Sequence, residues 1–237
     1  MRNTLTIALK ESRTLLTSPM AYVITAVFVA LAGVFFVTSI SSAFPEASIR
    51  GYVQPATFIL VLLAPILTMR VLAEEQKLGT IELLLTSPVR DWEVVVGKFL
   101  ATFIFYVGML VISLVFVGML KWFGDPDLGP VFTGYVGLLL YGGAALSVGL
   151  FTSSLTGNQI VAAVVSFGIL LFMSVIQQAA ASVSGIPATI IKEISIVTHF
   201  DDFSRGIIDT RGIIYYLSVI IVFLFFTVRS LETRRWR

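Results

Sequence analysis

From Leu128 to Ile191 the chain runs 64 residues without an Asp, Glu, Lys or Arg. A soluble fold has no way to cover such a stretch with polar surface. A helix crossing the hydrocarbon core of a bilayer asks for about 20 apolar residues in a row, so this run is too long for one crossing and suits two. Ser153-Ser154-Leu155-Thr156-Gly157-Asn158-Gln159 is the expected turn between them, because it gathers residues that favour turns. The whole chain agrees, with 57% hydrophobic and 13% charged residues, against about 25% charged in an ordinary soluble domain. The sequence predicts one all-α polytopic membrane domain over residues 1–237.

Six spans are expected, at about Ala21–Ile40, Val53–Ala73, Phe99–Leu120, Val131–Ser153, Ile160–Ala181 and Gly212–Val228. The uncharged run after Arg13 reaches Pro45, far beyond the apolar core of a cleaved signal peptide, so a retained first span is expected. With both termini in the cytoplasm, the inner segments hold 11 Lys and Arg and the outer segments 5. That bias is the one the positive-inside rule demands. An odd number of spans would place one basic terminus outside. Residues 3–18 read as an amphipathic helix lying in the interface, with Leu5, Leu9 and Leu16 at near-helical spacing. Residues 182–211 read as an external or re-entrant segment, a pair of short helices dipping into the outer leaflet.

Chemistry of its own is scarce. There is no cysteine and one histidine, which excludes disulfides, thiolate sites and a histidine metal cluster. A net charge of +2 gives no reason to expect nucleic acid. Gly97-Lys98 suggests a phosphate-binding loop, but the flanking positions that need Gly and Ser or Thr hold Trp92 and Phe99. His199, beside an aromatic, reads as structural. Gradient-driven transporters carry ionisable groups at depth, yet Phe99–Leu120 and Leu128–Ile191 contain no Asp, Glu, Lys, Arg or His. The energy for any transport is expected from another chain, and the protein is not expected to be an enzyme.

One segment stands apart. From Glu74 to Lys98, eight of 25 residues are charged, five acidic and three basic. Leu78, Ile81, Leu84 and Leu85 share one side of a short helix that Gly79 interrupts and Pro88 ends. Ser87 or Asp91 is expected to cap the next helix. The segment either rests on lipid headgroups or contacts a protein. Its acidic excess favours protein, since an anionic membrane surface selects Lys and Arg. Glu75 is either a buried relay or an interfacial carboxylate paired with Arg70 or Lys77. Outside, Asp201, Asp202 and Arg205 form a gate or auxiliary contact, or simply a helical ion pair of Arg205 with either aspartate. Pro65 offers a kink point in the second span. Gly142, Gly143, Ser147 and Gly149 permit close helix packing, expected within one subunit.

The stretch LAPILTMRVLAEEQKLGTIELLLTSPVRDWEVVVGKFLA resembles the hallmark region of type-2 ABC exporter (ABC-2) permeases. HFDDFSRGIIDTRGIIYYLS is similar to the branch containing the gliding-motility-associated ABC permeases. The resemblance implies a six-span permease that dimerises with a second copy or related permease in the inner membrane. It implies cytoplasmic ATPase subunits that hold the ATP and Mg, with no cofactor in this chain. It makes residues 74–90 a coupling helix, with Glu75, Gly79, Thr80, Glu82 and Pro88 at the ATPase contact. An auxiliary membrane or periplasmic subunit is a further expected partner. Two rival readings are an ATPase-driven mechanotransmitter or anchor for an envelope complex, and an ion-gradient-driven transporter.

Overall fold

A computed structural model describes residues 2–41, 50–80, 89–124, 127–180 and 192–235. Those residues are mostly helical and include no strand, as an environment without water requires: a helix satisfies its own backbone hydrogen bonds. In chain order the helices are α1 (Arg2–Thr17), α2 (Pro19–Ile40), α3 (Arg50–Thr68), α4 (Ala73–Lys77), α5 (Asp91–Phe123), α6 (Leu128–Leu155), α7 (Gln159–Ala180), α8 (Asp201–Ser204) and α9 (Thr210–Arg235). Six are long and apolar enough to cross a membrane: α2, α3 running on into α4, α5, α6, α7 and α9. The chain is a multi-pass membrane protein.

Helix α6 is the hub, and its small residues explain why. Gly142 faces the ring of Tyr106 on α5, and Gly149 faces the hydroxyl of Thr68 on α3, each so closely that a Cβ would overlap the neighbour. Gly143 meets Phe103 and Ile220, while a Cβ on Gly137 would stand 2.7 Å from that of Phe203. The Tyr106 hydroxyl donates to the Leu138 carbonyl at 2.6 Å, which fixes the ring over Gly142. The small residues therefore pack within one subunit, as expected. Helices α2, α7 and α9 leave broad apolar faces uncovered, with Val34, Val164 and Ile221 exposed.

Helix α1 buries Thr4, Ala8 and Ser12, and turns Leu5, Leu9 and Leu16 away from the bundle. It lies along α5, where Gly97 permits the approach: a Cβ there would come within 2.9 Å of Ile7 and 3.1 Å of the Thr4 carbonyl.

Three expectations need correction. The turn between the fourth and fifth spans starts later, because α6 continues through Leu155 and buries Ser153 and Ser154. Their hydroxyls find carbonyls instead of starting a turn, Ser154 on Phe151 at 2.7 Å. Second, Asp91 does not cap the next helix but begins it. The Glu93 carboxylate reaches back to the Arg90 N–H at 3.1 Å, while Ser87 lies outside the described residues. The helix so started has 33 residues. At 1.5 Å per residue it is about 50 Å long, well over a bilayer core of about 30 Å, and its charged first turns, with Asp91, Glu93 and Lys98, suit the part outside the hydrocarbon. Third, neither Asp201 nor Asp202 forms an ion pair with Arg205 among the described residues.

Candidate functional site

The charged segment leaves α3 at Thr68, where Pro65 lies in the final turn of the helix. A helix end leaves carbonyls unpaired and a helix start leaves N–H groups unpaired. One hydroxyl serves both here. Ser153 of α6 donates to the Met69 carbonyl at 3.2 Å and accepts from the N–H groups of Leu72 and Ala73 at 3.1 and 3.0 Å. Gln76 returns the favour, donating to the Ser154 carbonyl at 2.7 Å near the end of α6. Ser230 of α9 reaches the same carbonyl at 3.3 Å. Helix α4 is thus spliced to the end of the hub.

Its other fastening is electrostatic. Glu75 Oε1 lies 2.7 Å from Lys98 Nζ of α5. Glu75 is therefore an interfacial carboxylate in an ion pair, but its partner is Lys98 and not Arg70 or Lys77. Lys98 also donates to the Val71 carbonyl at 3.0 Å and stands 3.5 Å from Glu11 of α1. A cavity of about 330 Å³ opens beside these groups, lined in part by Arg70, Thr14 and Glu74.

Beyond α4 the chain turns outward. Gly79 takes φ +71°, a region costly to any residue with a Cβ. The Thr80 hydroxyl donates to the Glu75 carbonyl at 3.3 Å. Glu74, Lys77, Leu78, Gly79 and Thr80 are all exposed, so a bare leucine sits among mixed charges on a rigidly held projection. Glu82 and Pro88 lie outside the described residues.

At the opposite end, α8 and the residues before it plug the bundle. Phe200 and Phe203 are fully buried, against Tyr141 and Tyr216. Thr133 donates to the Phe203 carbonyl at 2.9 Å, and Arg50 Nε to the Ser204 carbonyl at 3.0 Å. Gly206, at φ +91°, turns the chain so that the Ile207 N–H returns to the Asp202 carbonyl at 3.0 Å. Backbone carbonyls and aromatic rings hold this plug, where a helical ion pair was expected. Burial pushes the Asp201 carboxyl above its ordinary pKa, with Arg205 opposing and Asp202 adding to the shift. His199 stacks on Tyr215 at 3.9 Å and hydrogen-bonds the Ser195 carbonyl at 3.1 Å, a structural setting.

The sequence pattern of the family described as "ABC-2 family transporter protein" matches residues 37–205. The chain belongs to the ABC-2 transporter family. The match begins near the end of α2 and closes at the plug, so it contains α4, Lys98 and Ser153. This ABC-2 chain is the membrane component of an ABC transporter, a family whose permeases associate with ABC ATPase subunits and the lipid bilayer. A comparison with curated proteins gives no match.

Sequence reasoning passed over Lys98, Gln76 and Ser153. In the sequence Lys98 is one charge of the Glu74–Lys98 segment and the lysine of a failed phosphate loop. No local signal marks its burial, which α1, α4 and α5 create together. Ser153 gave none, because its sequence neighbours spell a turn.

Proposed function

We propose that residues 74–90 form the coupling helix of an ATP-driven ABC-2 permease, seated against a cytoplasmic ATPase subunit. The observation that carries this reading is the double fastening of α4, to α6 through Ser153 and Gln76 and to α5 through Lys98, with Leu78 two-thirds exposed beyond it. A segment held on two sides that turns an apolar side chain outward is built to be pushed. ATP, with Mg, binds and is hydrolysed in the partner subunit, and this chain carries no catalytic residue. The two coupling helices of a permease dimer convey the closure of the ATPase pair to their spans. Glu75, Gly79, Thr80, Glu82 and Pro88 lie at or behind that contact. Of these, Glu75 acts from behind it, holding α4 on Lys98.

The chain resides in the inner membrane with both termini cytoplasmic, a reading supported by the 11 to 5 division of Lys and Arg. The leucine face of α1 then lies in the inner interface. The His199–Ser218 motif supports the gliding-motility-type branch, and the plug around Asp201, Asp202 and Arg205 closes the outer exit or meets an auxiliary subunit.

The test is a mild-detergent pull-down of the tagged chain from its native membrane, with Leu78→Asp and Glu82→Lys in parallel. A soluble chain carrying a Walker A motif is expected with the native protein and lost or weakened with either variant. Recovery of the folded chain with no nucleotide-binding partner would overturn the reading and favour a gradient-driven carrier or an anchor.

A further inference from the structure

Lys98 is only 2% exposed, the most deeply buried charged side chain among the described residues. Removing an ammonium from water is costly unless other groups repay it. Here the repayment comes from two other parts of the chain. Val71 and Glu75 belong to the joint leading from α3 into α4, and Glu11 belongs to α1. The backbone of α4 packs chiefly on α6 and α7 and less on α1 or α5. The Lys98 side chain therefore links the joint to α1 and α5. Helix α1 in turn leads into α2 at Ser18–Pro19, so wherever α1 goes the first span must follow.

We propose that Lys98 is a positioning residue that makes α1 and α5 travel with the coupling segment as one body. A push on residues 74–80 then reaches the first and third spans directly, and does not end on α3. This rests on the coupling reading above and adds a specific route to it. An ionic clamp suits the task. Its two carboxylates, one from α1 and one from α4, share a single buried cation of α5, so three elements are tied at one point although a cavity of about 330 Å³ lies beside it.

Replacing Lys98 alone would leave Glu11 and Glu75 facing each other unpaired, and a failure to fold would prove nothing. The informative variant is the neutral set Glu11→Gln, Glu75→Gln and Lys98→Met. Exchanging buried ions for uncharged groups of similar size often leaves stability unchanged. The chain has no cysteine, so spin labels go on cleanly at Leu9→Cys in α1, Lys77→Cys in α4 and Ile207→Cys beyond α8 at the opposite end, all exposed positions. In the purified permease in lipid nanodiscs, without any ATPase subunit, the 9–77 distance distribution should be narrow and should broaden in the neutral set at equal thermal stability. Equal widths overturn the clamp, whatever drives the protein.

In the complex with its co-purified ATPase subunit, ATP with Mg should change the 9–207 distance, from α1 to the opposite end, while the 9–77 distance holds. In the neutral set the 9–207 response should be lost, with the ATPase subunit still bound. A first helix that follows ATP equally well in the neutral set overturns the proposal and leaves the coupling reading intact. Absence of any ATPase subunit sinks the coupling reading alone, since the first distance measurement does not depend on it.

Discussion

Two glycines of the hub set the tolerance of the core at the scale of single residues. Gly142 faces Tyr106, a ring that is itself buried and hydrogen-bonded, so it has nowhere to go. Gly142→Ala is expected to lower stability by about 1–3 kcal/mol, the usual cost of overpacking. Gly118 lies in a similar apolar helix with nothing near its missing Cβ. Gly118→Ala should be neutral or slightly stabilising, by less than about 1 kcal/mol. Thermal unfolding in one detergent compares the pair; equal losses would mean that helix packing in lipid, and not the Tyr106 contact, sets the cost. Asp201 makes a second residue-scale prediction through pH. Its folded pKa is raised by burial, so the stability linked to its neutral form is complete below the unfolded value of about 3.9. That stability is lost as pH rises through the folded pKa. Asp201→Asn has no such loss. The variant should melt higher than the native protein at neutral pH, with the difference closing as pH falls toward the carboxylate range. A difference that does not vary with pH would place its origin elsewhere.

At the scale of elements, the α3–α4 joint depends on one hydroxyl. Ser153→Ala removes its partner from the Met69 carbonyl and from the N–H groups of Leu72 and Ala73. Leu72 and Ala73 are fully buried, so water is a poor substitute and a loss of about 1–3 kcal/mol follows. Hydrogen exchange should speed up locally at residues 72–76 while α5 stays protected; uniform acceleration would mean that the joint and the bundle open together. This joint also marks the limit of the sequence. The spans were legible because 18 or more apolar residues in a lipid-spanning chain have one outcome, and Gly79 was legible as an interruption because a left-handed turn needs it. The end of α6 was not. Ser153, Ser154 and Thr156 have turn propensity, yet the first two satisfy carbonyls within the bundle and stay helical. Lys98 was opaque for a related reason. Its burial is a property of α1, α4 and α5 together, and no local window contains all three. The expected pairing of Arg205 with Asp201 or Asp202 failed because helical spacing presumes a helix long enough to align them, and α8 has four residues.

For the whole molecule, the decisive property is which parts share an end. Gln76 and Ser230 both reach Ser154, and Lys98 joins Glu75 to Glu11, so α1, α4, the α6–α7 turn and the end of α9 lie together. Arg50 reaches Ser204, Thr133 reaches Phe203 and Gly206 rests on Pro130, so the opposite end gathers the start of α3, the start of α6 and the plug. The first end carries most of the Lys and Arg, so the proposed orientation, with that end cytoplasmic, is the one the positive-inside rule favours. Single cysteines in this cysteine-free chain test the arrangement: Lys77→Cys and Ile160→Cys at one end, Leu128→Cys and Ile207→Cys at the other, all at exposed positions. In intact spheroplasts a membrane-impermeant maleimide should label positions 128 and 207 and spare 77 and 160, with all four labelled after lysis. Reversed labelling of both pairs would keep the bundle and invert the orientation, removing any cytoplasmic ATPase from the reach of α4. A split within either pair would break the six-span arrangement itself, because residues joined through one carbonyl or one short plug cannot face opposite sides of a bilayer.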